Sequence, residues 1–305
     1  MEKIKIPVIL GPTAAGKTDF AMRAAGAFGY EVLSCDSRQI YRHMNIGTAK
    51  PSVEERARIR HWLVDILDPS EPYSAFTFAG DALRVIRELR DSGKKVLICG
   101  GTGLYYHILA NGAAPLDGAD LELRGELQDE AREFGSARLH ERLKAADPAA
   151  ASRIHPNDLQ RLLRALDVFY RKGQPLSLLQ EDAGNPPGDI EFRTVIVSRP
   201  REILYDRINS RVDAMFEQGL LDEFFALRRM GYGADSPGMV CVGYRELFGV
   251  ERGEIDVGQA AELIKRNTRR YAKRQMTWFR NKIQDALRVD VSDEHGDFLD
   301  GCLTP

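Results

Sequence analysis

The sequence lacks most of the marks of secreted, metal-binding and membrane proteins. Its four cysteines, Cys35, Cys99, Cys241 and Cys302, stand alone, none within four residues of another. That excludes zinc-type pairs, and a chain of 305 residues buries a large core without disulfides. Reduced thiols in a cytoplasmic protein are therefore expected. The six histidines, His43, His61, His107, His140, His155 and His295, include no pair three to five residues apart. Neither H-E-x-x-H nor G-x-S-x-G occurs, so zinc-hydrolase and serine-hydrolase chemistry have no carrier. No apolar run approaches the roughly 18 residues of a membrane span. The apolar start, residues 4–10, is too short for a signal-peptide core and reads as a strand. Charge of one sign is also missing: 43 Lys and Arg against 45 Asp and Glu leave a net charge of −2. A chain-wide polycation is excluded, but nucleic-acid binding through local clusters is not. No internal repeat or low-complexity segment appears.

What is present is ordinary globular material, 43% hydrophobic and 29% charged. At about 150 residues per domain the length suggests two domains. Strands are expected at 4–10, 31–34, 95–99 and 194–197, with a last one at 287–291. A helix is expected over 19–28. Ala79, Ala82, Leu83, Ile86 and Leu89 recur at helical steps and stop at Gly93. Strand and helix alternate, as in a parallel α/β sheet. The pattern changes at 112–118, rich in Gly, Ala and Pro. From 120 to 172 only helical periodicity remains, broken at Asp147-Pro148 and His155-Pro156. A polar linker carrying Pro186-Pro187 closes this stretch. The predicted organisation is an α/β core from 1–115 and 189–305, with a helical insertion over 116–188. Long helices are expected at about 200–229 and 258–284.

Gly11-Pro12-Thr13-Ala14-Ala15-Gly16-Lys17-Thr18 fits G-x-x-x-x-G-K-[ST] between a strand and a helix. The glycines let the backbone curl so that several N–H groups converge on one anion, and the helix N-terminus adds positive charge. Lys17 contributes a full charge, and Thr18 offers a hydroxyl to Mg²⁺. The fold class predicted is a P-loop NTPase-like α/β core with a helical insertion domain. An NTPase also needs a second strand ending in an Asp for its metal. The best hydrophobic candidate, Val96–Cys99, runs instead into Gly100-Gly101-Thr102-Gly103. A diphosphate acting as leaving group would use the same cradle.

Asp36 and Ser37 follow the second strand and Thr102 the third, at strand ends where open α/β sheets bind ligands. The alternatives are a cap for Asp36 and a tight turn for 100–103. Residues 264–284 carry Lys265, Arg266, Arg269, Arg270, Lys273, Arg274, Arg280 and Lys282 and no acid, with Tyr271, Trp278 and Phe279 interleaved. In a nearly neutral chain this is the footprint of phosphate-backbone contact. The alternative is a solvated face with its aromatics in the core. Arg161, Arg164, Arg171 and Lys172 lie opposite Leu159, Leu162, Leu163, Leu166 and Phe169 on an insertion helix, with the same two readings.

Seven blocks, taken in order, resemble the bacterial tRNA dimethylallyltransferase family over nearly the whole chain. They are residues 11–18, Asp36-Ser37-Arg38-Gln39-Ile40-Tyr41, Gly47-Thr48-Ala49-Lys50-Pro51, and Gly100-Gly101-Thr102-Gly103-Leu104-Tyr105. Asn157-Asp158-Leu159-Gln160-Arg161-Leu162-Leu163-Arg164-Ala165-Leu166 follows, then Val242-Gly243-Tyr244-Arg245 and Lys273-Arg274-Gln275-Met276-Thr277-Trp278-Phe279-Arg280. The family often has Ser at Ala15 and a second His at Trp62. No zinc-finger extension is expected after Asp290, unlike the eukaryotic members.

The resemblance implies transfer of a dimethylallyl group from dimethylallyl diphosphate to N6 of adenosine 37 in tRNA. It implies that residues 11–18 bind the diphosphate with Mg²⁺ and that Thr102 donates a hydroxyl near the leaving oxygen. Asp36 is the candidate base for the proton of the attacking amine, with positioning of that amine as the alternative. Arg207 is expected to meet the diphosphate, with Arg201 and Arg211 as alternatives. The implied tRNA contacts are Asp36, Ser37, Arg38, Gln39, Thr102, Arg124, Gln160, Arg161, Leu162, Leu163 and Arg164. Val240, Cys241, Val242, Gly243, Tyr244 and Arg245 join them, with Lys273 to Arg280. The partner is the anticodon stem-loop and the chain is expected to be a cytoplasmic monomer. Three rival readings remain at this stage: a small-molecule kinase, an isopentenyltransferase acting on free adenine nucleotide, and a non-catalytic RNA-binding protein.

Overall fold

The computed structural model describes residues 3–112, 118, 120–181 and 186–291. Cys302, most of the 112–118 stretch and part of the expected linker lie outside them. The chain divides into two compact units, Met1–Ala110 with Pro187–Pro305, and Asn111–Pro186.

In chain order the first unit opens with β1 (Ile4–Leu10), α1 (Lys17–Phe28), β2 (Tyr30–Ser34), α2 (Val53–Arg58), β3 (His61–Trp62), α3 (Ala75–Asp91), β4 (Lys95–Gly100) and α4 (Gly103–Asn111). The second unit holds α5 (Leu121–Phe134), α6 (Ser136–Ala146), α7 (Pro148–Ala151), α8 (Leu159–Lys172) and α9 (Leu176–Glu181). The first unit resumes with β5 (Ile190–Ser198), α10 (Arg201–Glu217), α11 (Leu220–Arg229), α12 (Tyr244–Glu251), α13 (Val257–Lys282) and β6 (Leu287–Asp290).

The strands form a six-stranded sheet in the order β3-β2-β4-β1-β5-β6, every pairing parallel. Both faces are covered, so the strands are apolar on both sides. Ile6, Val8 and Leu10 enter one core with Val96, Ile98, Phe78 and Ile86. Ile9 and Leu97, one residue out of step, enter the opposite core with Phe20, Val197 and Ile208. A third cluster gathers Ile40, Met44, Phe224, Tyr244 and Leu247. The carboxyl ends of β1, β2 and β4 lie side by side, because β4 pairs with both β1 and β2. The segments that follow these three strands are the ones singled out above as candidates.

The helix expected over 200–229 is two helices. Gly219 takes φ 95°, a left-handed conformation that ends α10 and opens α11. The short α2, β3 and α12 carried too few periodic positions to be anticipated. The second unit packs its own core of Leu127, Leu139, Leu143, Leu162, Leu163 and Leu166. Its two anticipated breaks are real. Asp147 caps α7 by accepting from Ala150 N at 2.9 Å, with Pro148 at the first helical position. Asp158, after His155-Pro156, caps α8.

Candidate active site

β1 delivers the chain into the glycine-rich loop. Gly11 sits so close to β5 that a Cβ there would lie 2.2 Å from the Val197 carbonyl oxygen. Gly16 takes φ 96° and starts α1 with no side-chain cap, so first-turn N–H groups are left for an anion. Lys17 turns back over the loop, its Nζ donating to Pro12 O at 2.7 Å. Burial is the main cause that lowers its pKa to about 8, with Arg211 adding to the effect and Cys99 and Asp36 opposing it.

Three arginines surround the loop. Arg199 Nε donates to Ala15 O and Arg207 Nε to Ala14 O, both at 3.0 Å, and Arg211 Nη1 lies 3.4 Å from Thr13 Oγ1. Among the three expected candidates for the diphosphate, Arg211 is the one that lines the cavity. Arg207 instead braces the loop backbone, and Arg201 lies over the Tyr205 ring. Arg211 follows Arg207 by one helical turn, so helical spacing carried the signal. Arg199 was missed, although it stands at the carboxyl end of β5, the same kind of position as Asp36.

Asp36 is both a turn cap and a cavity-lining residue. Its Oδ1 accepts from Arg38 N at 2.8 Å and caps the turn after β2, and its carboxylate lines the same cavity as Lys17. Thr102 holds that turn: its Oγ1 accepts from Ser37 N at 2.9 Å and lies 3.3 Å from Ser37 Oγ.

The cavity has a volume of about 410 Å³, within the range of small-molecule sites. Lys17, Thr18, Asp36, Arg211 and Arg274 give it a charged and polar floor. Ala21, Val32, Ile208, Val212, Met215 and Ile264 give it apolar walls. His61 also lines it, a position for which the sequence carried no signal. No group of three or more His, Cys, Asp or Glu side chains able to hold a metal occurs among the described residues. Thr18, expected to offer its hydroxyl to Mg²⁺, lines the cavity beside Lys17.

The expected tRNA residues separate into groups. Ser37, Arg38, Gln39, Val240, Cys241, Val242, Gly243 and Arg245 line the cavity. Lys273, Thr277 and Arg280 are exposed on α13, with Met276 and Trp278 half-buried. In the second unit Gln160 and Arg161 are exposed, while Arg124 and Arg164 converge on the buried Asp167 at 3.2 and 3.6 Å. Leu162, Leu163, Tyr244 and Phe279 are buried in the cores, which leaves their side chains no surface to offer RNA. The Tyr244 hydroxyl donates to Glu223 at 2.6 Å.

Gln275 is likewise an internal brace rather than a surface contact. It is 7% exposed, its Oε1 accepts from Thr13 N at 2.9 Å and its Nε2 donates to Gly101 O at 2.8 Å. Gln275→Leu keeps the bulk and removes the partner of the part-buried Thr13 N–H and of the buried Gly101 carbonyl. A buried group left so costs about 1–3 kcal/mol and the part-buried N–H less, so an expected loss of about 1–4 kcal/mol should appear in chemical denaturation.

Fold and site together define a P-loop α/β protein with a partly apolar cavity lined by Lys17 of the glycine-rich loop and by Asp36. The IPP transferase family model matches residues 39–282, and an isopentenyl transferase model matches residues 4–69. The chain therefore belongs to the IPP transferase family. It is 46% identical over 298 residues to the tRNA dimethylallyltransferase of Syntrophobacter fumaroxidans, covering 96% of this chain and 86% of that one. Among solved structures it resembles the full-length tRNA isopentenylpyrophosphate transferase of Bacillus halodurans, with 38% identity, a TM-score of 0.70 and 97% and 93% of the two chains covered. It also resembles a eukaryotic dimethylallyltransferase captured acting on tRNA, with 27% identity, a TM-score of 0.79 and 95% and 74% covered.

Proposed function

We propose that this chain transfers the dimethylallyl group of dimethylallyl diphosphate to N6 of adenosine 37, in tRNAs reading codons that begin with U. The products are N6-dimethylallyladenosine and diphosphate. The observation that carries this reading is the single cavity shared by the phosphate-binding Lys17, the carboxylate of Asp36 and an apolar wall.

The allylic C–O bond breaks readily because its cation is resonance-stabilised, so the demand falls on the departing diphosphate. Loop N–H groups, Lys17 and Arg211 are placed to stabilise that growing charge, as oxyanion donors do. A Mg²⁺ ion held through Thr18 would add positive charge at the same oxygens. The Ala21, Val32 and Ile208 side chains suit a five-carbon tail and shield it from water. The adenine amine is a poor nucleophile, its lone pair being conjugated. As the C–N bond forms, the nitrogen becomes cationic and acidic, and Asp36 takes the proton. Thr102 fixes the turn that carries Asp36.

An adenine stacked in an anticodon loop has to flip out to bring its amine to a cavity lined by Asp36. Arg266, Arg270, Lys273 and Arg280 are exposed on α13 with no ion pair among the described residues, and suit the stem-loop phosphates. With about four contacts at a slope of roughly −0.7 each, a fourfold rise in salt should weaken tRNA binding by about 50-fold. A filter-binding titration over that range checks this, and a flat response contradicts it. No helix among the described residues is long and apolar enough to cross a membrane. Action in the cytoplasm as a monomer completes the reading.

The deciding experiment mixes the protein, Mg²⁺ and labelled dimethylallyl diphosphate with unmodified tRNA carrying adenosines at positions 36, 37 and 38, and separately with AMP. Label in tRNA alone is expected. Label in AMP alone makes the enzyme one of free nucleotides. Label in neither returns the kinase and RNA-binding readings.

A further inference from the structure

One aromatic ring on α13 has no task in the fold. Tyr271 is 36% exposed, although its neighbours Ala272 and Gln275 are buried. Its side chain lines the cavity together with Asp36 and the 240–243 segment. The Arg274 guanidinium lies over the ring, 5.8 Å from its centroid. The hydroxyl makes no hydrogen bond among the described residues. Its pKa is pushed up to about 12, first by burial and then by Asp36, with Arg38 and Arg274 opposing and Cys241 adding. The groups around the phenol are thus the candidate base and the segments that bound the cavity. Trp278, seven residues on, shows what a packed aromatic on this helix looks like. It meets His107 edge-on at 6.0 Å, and a Cβ on Gly103 would fall 2.3 Å from its ring.

A ring that borders a cavity, carries a cation on one face and needs no hydrogen bond is shaped to receive a flat π-system. We propose that the acceptor adenine stacks on Tyr271 once extruded, which presents its exocyclic amine to Asp36. A base leaving its stack loses its neighbours, and a cation-backed ring replaces one of them. This deepens the function proposed above and rests on it.

Two variants and two readouts test it. Stacking of one base corresponds to about a 10- to 100-fold effect on truncation. Tyr271→Ala should therefore lower kcat/KM for tRNA by about that factor, leaving KM for dimethylallyl diphosphate within about twofold. Tyr271→Phe, which keeps the ring, should restore most of the loss. In the second readout 2-aminopurine replaces adenosine 37 in a stem-loop. Bound to the unaltered protein or Tyr271→Phe it should stay quenched, and bound to Tyr271→Ala it should brighten. Undiminished turnover in Tyr271→Ala overturns the proposal. So does equal loss in both variants, which would assign the hydroxyl. A raised KM for the allylic diphosphate also overturns it, since the ring would then serve the prenyl tail. If the unaltered protein transfers no label to RNA, the proposed activity fails. The fluorescence readout needs no transfer and still decides the stacking.

Discussion

Replacing Asp36 with alanine is expected to lower the rate of prenyl transfer by about 10²- to 10⁴-fold, the range of a positioned general base. Binding of tRNA should change by less than about threefold, because the phosphate contacts proposed for α13 are untouched. Alanine alone does not separate proton transfer from turn capping, since Oδ1 of Asp36 accepts from Arg38 N. Asp36→Asn does. Its amide oxygen can keep the Arg38 bond, while the group loses its basicity. Both variants should be slow if Asp36 takes the proton. An active Asn variant would reduce Asp36 to a cap, and equal loss of rate and affinity would make it a binding residue. Single-turnover kinetics beside tRNA titrations give both quantities.

Replacing Lys17 with methionine is expected to cost about 10²- to 10³-fold in turnover, the usual loss when one donor to a developing anion is removed. The same lysine predicts a pH dependence with a definite sign. In the free protein its pKa is lowered to about 8, chiefly by burial. Below that value Lys17 is charged and ready for a diphosphate, and above it the amine is neutral and the attraction weakens. Bound diphosphate favours the charged form, so binding above pH 8 takes up a proton. The KM for dimethylallyl diphosphate should therefore rise as pH increases through about 8, and the methionine variant should lose that inflection. Stability follows the same linkage. With the folded pKa below the ordinary 10.5, the unfolded chain binds more protons between the two values, so the ligand-free protein gains stability as pH rises across them.

Much of this was legible because it depends on short-range rules. The G-x-x-x-x-G-K-T spacing located the glycine-rich loop between a strand and a helix, and β1 and α1 fall where apolar run and periodicity put them. Asp36 was legible as a polar residue at a strand's carboxyl end. Gln275 was not. It lies 262 residues from Thr13, and only the folded sheet brings α13 beneath the loop. Leu162 and Leu163 show the opposite limit. They sit inside a motif with Arg161 and Arg164, but helical spacing turns them inward while Arg161 faces out. Adjacency in a motif marked the helix without saying which face each residue serves. Arg207 and Arg211 share a helical face, and the expectation favoured Arg207, whereas Arg211 lines the cavity. The difference is which one the backbone of Ala14 engages.

Gln275 has a consequence for the order of events. It fastens the phosphate loop to the helix whose outer face carries Lys273 and Arg280, and whose cavity face carries Tyr271. On the reading proposed above, the allylic diphosphate and the extruded adenine would both face the cavity side of this 26-residue helix, and the stem-loop phosphates its outer side. Gln275 bonds that helix directly to Thr13, and Ala272 and Met276 share a core with Ala14 and Ala15, so the two affinities should be thermodynamically linked. Reciprocity then fixes the size of the effect: whatever factor the stem-loop applies to the allylic diphosphate, the diphosphate applies to the stem-loop. Severing the strut with Gln275→Leu should drive that factor toward one.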